Sequence, residues 1–378
     1  MARLPLRAEL SRRAHQGAGR RMSIPDRITR LRSEMVDLEV DGFLVSASEN
    51  RRYLSGFTGS TGYLLITESD AVLATDFRYI EQAEAESPSY RVHRTRGGIG
   101  WMPDMLSELG VSTLAIEADH MTVSAHSALA TALEESENAS DVQIENTSGV
   151  VAGVRAVKDA SELAVIQKAV EIADKAMASI ASRIEPGMTE AQIAWDLEME
   201  MRRLGAEGAA FDIIVGAGPN GALPHHRADD TVVQRGDPVV IDMGASYEGY
   251  NSDLTRTFYA GRPDDEFLAI YSIVLQAQET AIREVRPGMT GQEVDEIARK
   301  VIEEAGYGEE FGHGLGHGVG LAVHERPMVV PTSEDVIEDG MVFTVEPGIY
   351  ISGWGGIRIE DIVVMENGRA RILTGSPK

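Results

Sequence analysis

Four carboxylates and a run of histidines in the second half of this 378-residue chain have the types and spacing to hold metal ions. Asp242 ends the apolar run Val239-Val240-Ile241, and Asp253 follows eleven residues later, after a turn through Gly249. A hairpin over 239–258 would let the two carboxylates face each other. Glu346 ends Val342-Phe343-Thr344-Val345 and precedes Pro347-Gly348. Glu360 lies in Gly356-Ile357-Arg358-Ile359-Glu360, where period-2 alternation puts Arg358 and Glu360 on one face. Taken singly, each acid reads as a solvated strand end. Flanked by Val and Ile, the four together read differently, because buried, unpaired carboxylates are too costly to leave ionised. Convergence would need cations, and two divalent ions balance four carboxylates. Such a set with one imidazole suits Mn, Co, Fe or Zn.

The histidines fall in Phe311-Gly312-His313-Gly314-Leu315-Gly316-His317-Gly318-Val319-Gly320-Leu321-Ala322-Val323-His324-Glu325. The spacing of His313 and His317 would suit a zinc-binding helix, but the alternating glycines disfavour a helix and no Glu follows His313 directly. A glycine-rich strand approaching an active site is the better expectation. A second pair, His225-His226, stands upstream of Asp242.

Elements that position these residues are legible around them. An internal repeat places Pro186-Gly187-Met188-Thr189 and Pro287-Gly288-Met289-Thr290 ahead of two helices that end at Gly205 and Gly306, the same distance on. Each helix leads to a glycine-rich region and then to a strand with one acid, Asp242 or Glu346. This predicts a duplicated α+β domain over 151–378, opened by a long helix from Ala160 to Ile184 with Leu163, Ile166, Val170 and Ala173 on one face. Upstream, 22–150 reads as a small α/β domain: a helix from Ile24 to Val40 carrying Ile28, Leu31, Met35 and Leu38, strands at 42–45, 62–66, 71–74 and 114–116, and a helix at 80–86. A polar stretch from Glu134 to Asn138 leads towards a domain boundary near 145–155.

Composition removes several classes of function. Cysteine is absent, which excludes disulfides, thiolate metal sites and a cysteine nucleophile and is compatible with a reducing cytoplasm. A net charge of −25 argues against a nucleic-acid partner. No apolar run is long enough to span a membrane. Residues 1–21 carry six arginines against Glu9 and read as a basic leader, a targeting segment or the product of an upstream start codon with Met22 opening the folded protein. Only five of 35 basic residues are Lys, which fits a GC-rich genome or a salty cytoplasm.

In order and spacing, His225, Asp242, Asp253, His313, His317, His324, Glu346, Arg358 and Glu360 resemble the active-site pattern of the pita-bread metallopeptidases, the family of Xaa-Pro dipeptidase (prolidase), aminopeptidase P and methionine aminopeptidase. Asn50-Arg51-Arg52-Tyr53-Leu54-Ser55-Gly56-Phe57-Thr58-Gly59-Ser60 resembles the signature of the creatinase-type N-terminal domain that accompanies the proline-specific members. The likeness spans about residues 23–378 and leaves out the basic leader.

The resemblance implies two divalent ions, Mn first among the candidates, sharing a hydroxide about 3.5 Å from one ion to the other. Asp242 would hold one ion, His317 and Glu346 the other, and Asp253 and Glu360 would bridge. Glu346 would carry a proton to the leaving amine, His225 and His324 would steady the oxyanion, His313 would line the leaving-residue pocket, and Arg358 would orient Asp242. It also implies a proline-containing peptide as substrate and a homodimer in the cytoplasm. Arg52 is one candidate partner for a substrate carboxylate, with Arg51 and residues of a partner subunit as equal alternatives. A metal-free creatinase-like enzyme, another small-molecule hydrolase or lyase, and a non-catalytic binding module on the same scaffold are the competing readings.

Overall fold

The computed structural model describes residues 22–378; the basic leader lies outside them. The chain divides between Arg155 and Ala156 into two compact units.

The first unit is a six-stranded mixed sheet. Its order is β4-β3-β2-β1-β5-β6, with β1 Gly42–Val45, β2 Tyr63–Thr67, β3 Ala71–Asp76, β4 Arg91–Thr95, β5 Thr113–Glu117 and β6 Gln143–Thr147. All of β1 is buried, as expected of a central strand covered on both faces. Helix α1, Ile24–Asp37, starts on a capping box between Ser23 and Asp26 and buries Ile28, Leu31 and Met35. Leu38, expected on that face, stands outside the helix and is exposed, because the chain turns through Glu39 at positive φ. The polar stretch 134–138 is followed by β6 and a helix, Val150–Ala156, before the division between the units. Strands β4 and β6 are polar edge strands and carry little apolar alternation, which is why sequence periodicity passes over them. Arg51 is buried and donates to the carbonyls of Gly59 and Gly62, both at 2.9 Å. It fastens its own loop, and that removes it as a candidate for a substrate carboxylate.

In the second unit two helix pairs each cover their own strands. Helices α2 (Ala160–Ala181) and α3 (Glu190–Arg203) pack Ile172, Met177, Ile193 and Leu197 on Val215, Val239, Ile241 and Leu254 of the sheet β8-β9-β12. Here β8 is Ile214–Ala217, β9 Pro238–Met243 and β12 Leu254–Tyr259. Helices α4 (Asp265–Glu284) and α5 (Gly291–Glu304) pack Ile270, Val274, Val294 and Ile302 on Val329, Phe343, Val345 and Val363. Those residues belong to or adjoin the sheet β14-β13-β15-β18-β19, in which β13 is Gly316–Gly318, β14 Glu325–Val329, β15 Val342–Val345, β18 Asp361–Glu366 and β19 Arg369–Ile372.

The repeat is a structural one. Thr189 and Thr290 cap α3 and α5, each helix ends near a glycine of positive φ, Gly205 or Gly306, and each cap residue makes an isolated bridge, to Val232 or to Val336. Strands β9 and β15 are each the middle strand of an antiparallel triplet. Asp242 and Glu346 therefore occupy corresponding places, one near the end of β9 and the other just past β15. The long α2 helix stops at Ala181, short of Ile184.

Candidate metal centre

Strand β9 pairs with β12 and places Asp242 opposite Thr255. The expected hairpin is interrupted, because residues 245–247 and 250–251 leave it to join β7, Gly208–Ala209, and Asp253 lies in the return to β12. Arg358 and Glu360 also differ from expectation. Arg358 ends β17, Gly355–Arg358, and Glu360 sits in the gap before β18, so the two do not share a strand. Their side chains still meet one residue: Thr255 donates to Glu360 Oε2 at 2.7 Å and accepts from Arg358 Nε at 3.0 Å.

The glycine-rich histidine run is mostly not strand. Between Phe311 and His324 only Gly316–Gly318 is extended in a sheet, and His313 and His324 lie in the bends on either side. The glycines serve packing between neighbouring segments. A Cβ on Gly316 would lie 2.2 Å from the Thr344 carbonyl oxygen, and one on Gly318 would lie 2.1 Å from that of Arg326.

The fold brings every residue of the expected set to one place. Carboxylate oxygens of Asp242, Asp253 and Glu360 lie within 4.8 Å of one another. His317 Nε2 is 3.3 Å from Glu346 Oε1 and 3.7 Å from Asp253 Oδ2. Arg358 donates to Asp242 Oδ2 at 2.7 Å. Except for Glu360, which is buried behind them, these groups line a cavity of about 990 Å³ together with His225, His313 and His324. His225 and His324 sit at its exposed side, and the His324 ring lies 4.0 Å from that of His317, centroid to centroid.

Two observations test whether this donor set fits cations. Asp242 Oδ1 and Glu360 Oε1 are buried and have no hydrogen-bond partner, an expensive arrangement that a bound cation relieves. His317 is placed as a ligand would be: Nδ1 faces the Gly318 carbonyl at 3.1 Å and must donate to it, which leaves Nε2, the nitrogen beside the carboxylates, as the atom that would hold a cation.

The electrostatics agree. Burial, and then the charge of neighbouring carboxylates, raises Asp253 and Glu360 well above the ordinary carboxylate range. Burial raises Asp242 against the opposing pull of Arg358. Glu346 is also penalised by burial, but the hydrogen bond and charge of His317 outweigh this and hold it at about 2. Negative charge is concentrated here beyond what Arg358 and His317 supply.

Residues that sequence reasoning missed complete the surroundings. Tyr350 accepts from Arg358 at 2.8 Å and is 2.8 Å from His313 Nε2. His313 Nδ1 faces the Gly314 carbonyl at 2.7 Å and must donate there, so Nε2 accepts from the Tyr350 hydroxyl. Burial lowers the His313 pKa and favours this neutral form. Thr344 donates to Glu346 at 3.0 Å. Arg299, on α5, donates to the carbonyls of Phe311 and His313 and is paired with Asp295. Buried Lys158 pairs with Glu325, the neighbour of His324, at 2.7 Å. None of these residues carries a local motif; each is defined by a partner distant in sequence.

Comparison with known proteins places these features in context. Residues 164–367 match the model of metallopeptidase family M24, and residues 27–157 match the creatinase/prolidase N-terminal domain. The structure is similar to that of an Xaa-Pro dipeptidase from Bacillus anthracis, at 42% identity and a TM-score of 0.90, over 94% of this chain and 99% of that one. It is similar to an X-Pro aminopeptidase from Thermotoga maritima at 41% identity and a TM-score of 0.84, over 93% and 98%. In sequence the chain is 40% identical to an Xaa-Pro dipeptidase from Pyrococcus horikoshii, over 88% of this chain and 92% of the relative.

Proposed function

Because the chain belongs to metallopeptidase family M24 and acts with divalent metal, we propose that it hydrolyses the Xaa-Pro peptide bond and releases the N-terminal residue. The observation that carries the reading is the pair of orphaned oxygens on Asp242 and Glu360 inside a five-residue donor set. Asp242, Asp253, His317, Glu346 and Glu360 would hold two ions, with Mn preferred and Co, Zn or Fe as alternatives. When bound, they supply Lewis acidity and a nucleophile from water at neutral pH.

The protein's own groups do the rest. His225 and His324 face the cavity from its open side and donate to the oxygen of the scissile carbonyl as charge develops there. Glu346 takes the proton that the attacking water gives up and passes it to the proline nitrogen, which leaves as a secondary amine when the C–N bond breaks. His313, held neutral by its contacts to Gly314 and Tyr350, lines the pocket for the leaving residue. Arg358 fixes Asp242. An Xaa-Pro bond lacks the N–H that strand-gripping proteases use, so a shaped pocket replaces that hydrogen bond. Relatives of nearly equal likeness bear dipeptidase and aminopeptidase names, and we expect at most a weak preference for dipeptides. A homodimer in the cytoplasm completes the proposal.

The test is kcat/KM for an Xaa-Pro dipeptide, its carboxy-amidated form and its tripeptide extension, each assayed after chelation and after restoring each metal. Cleavage that needs metal and tolerates extension supports the reading. Failure to cleave any proline substrate, or turnover of a small amidine without metal, overturns it.

A further inference from the structure

The two adjacent histidines, His225 and His226, both border the cavity, but the second has a partner buried in the first half of the repeat. His226 Nε2 lies 2.6 Å from Glu190 Oε2, and Glu190 is fully buried in the first turn of α3. Oε2 also accepts from the Asp229 N–H at 3.3 Å, while Oε1 accepts from the Ala217 N–H at 2.8 Å and the Asn220 amide at 3.0 Å. A carboxylate that only accepts fixes the proton of His226 on Nε2. One buried side chain thus gathers the end of β8, the turn 218–222 and the loop that carries His225. His226 is its sole candidate counter-charge among the described residues. The side chain of His225, by contrast, makes no hydrogen bond among the described residues, so its aim into the cavity depends on the backbone beneath it.

We propose that Glu190 and His226 form a positioning pair for His225: the buried Glu190–His226 hydrogen bond holds residues 223–229 so that His225 faces the reacting carbonyl. This rests on the function proposed above, in which His225 serves the oxyanion. His226 also borders the cavity, but its Nε2 is committed to Glu190, so it acts through its neighbour rather than on substrate. Four charge-assisted hydrogen bonds on one buried carboxylate make a stiff anchor.

The test is a double-mutant cycle on the metal-loaded protein. His226→Ala should lower kcat about 10–100-fold, the range for loss of a supporting partner, with KM little changed and metal content intact. His226→Gln, whose amide N–H reaches the same place, should restore most of the loss. In a His225→Ala background, His226→Ala should cost nothing further. A readout that needs no substrate accompanies it: amide exchange over residues 223–229 should quicken about tenfold in His226→Ala and return towards the parent in His226→Gln. This separates the fate of the pair from that of the peptidase reading. A full kcat loss persisting in the His225→Ala background would overturn the proposal and make His226 a substrate contact. Unchanged exchange in His226→Ala would overturn it as well, as would activity loss that merely follows loss of metal or of thermal stability.

Discussion

The two halves of the duplicated unit share a scaffold and differ at the first residue of one helix. In the first half, Glu190 opens α3 and its carboxylate gathers the loop of His225. In the second, the same place is Gly291, and a Cβ there would lie 2.0 Å from the Met328 carbonyl oxygen. The second half holds its histidine loop from one turn further along α5, where Asp295 accepts from the Leu315 N–H and Arg299 reaches the Phe311 and His313 carbonyls. The shared cap and bridge preserve the fold, while the chemistry of each loop has its own fastening. Donors are divided as well: the first half supplies Asp242 and Asp253, the second His317, Glu346 and Glu360.

That division gives the largest predicted effect. Asp253→Asn and Glu360→Gln, one from each half, should each empty both ion sites and cost more than the about 10²–10³-fold of losing one oxyanion donor. His317→Ala should empty chiefly one site. Elemental analysis showing full occupancy in Asp253→Asn would refute its role as a bridge. Next, His324→Ala should lower turnover by about 10²–10³ with metal content near normal. Parent-like activity would return His324 to an ordinary structural histidine.

Metal removal sharpens the comparison through pH. Asp253 and Glu360 have folded-state values raised well above the ordinary range, so without metal they stabilise the fold while protonated, and this is lost as pH rises above about 4. Glu346, held at about 2, contributes stability that is full above its ordinary value of 4.5 and is lost progressively as pH falls from there towards 2. The Tm gap between metal-loaded and metal-free protein should therefore widen from about pH 4 to pH 7. A gap independent of pH would contradict the convergence of the acids.

Tyr350→Phe removes the link between Arg358 and His313, both from the second half. Turnover should fall about 10–100-fold, with a smaller change in metal content, as measured by steady-state kinetics beside elemental analysis. The smallest effect probes the asymmetry itself. Gly291→Ala should destabilise by about 1–3 kcal/mol in urea unfolding, because its neighbour is backbone and cannot move aside. A neutral result would mean that α5 can shift and that the close approach is incidental.

Much of the first unit was legible where strands are central and apolar, as at Gly42–Val45 and Ala71–Asp76, and not at the polar edges Arg91–Thr95 and Gln143–Thr147. Helix Met102–Leu109 and helix Val123–Glu134 were also passed over. The candidate site was legible in another way: a metal centre restricts residue types, so its acids and histidines stand out in order along the chain. The repeat was readable because caps and terminal glycines act within one helical turn.

By itself, then, the sequence determined the donor types, their order, the duplication and the starts of its helices, all of which depend on neighbours a few residues away. Only the tertiary structure decided that Thr255 joins Arg358 to Glu360, that Tyr350 joins Arg358 to His313, that Arg51 is spent on its own loop, and that His226 is tied to the buried Glu190. The physical reason is range. Arg358 and Asp242 are 116 residues apart, and Thr255 and Glu360 are 105 apart, so their hydrogen bonds exist only where the two halves of the fold meet.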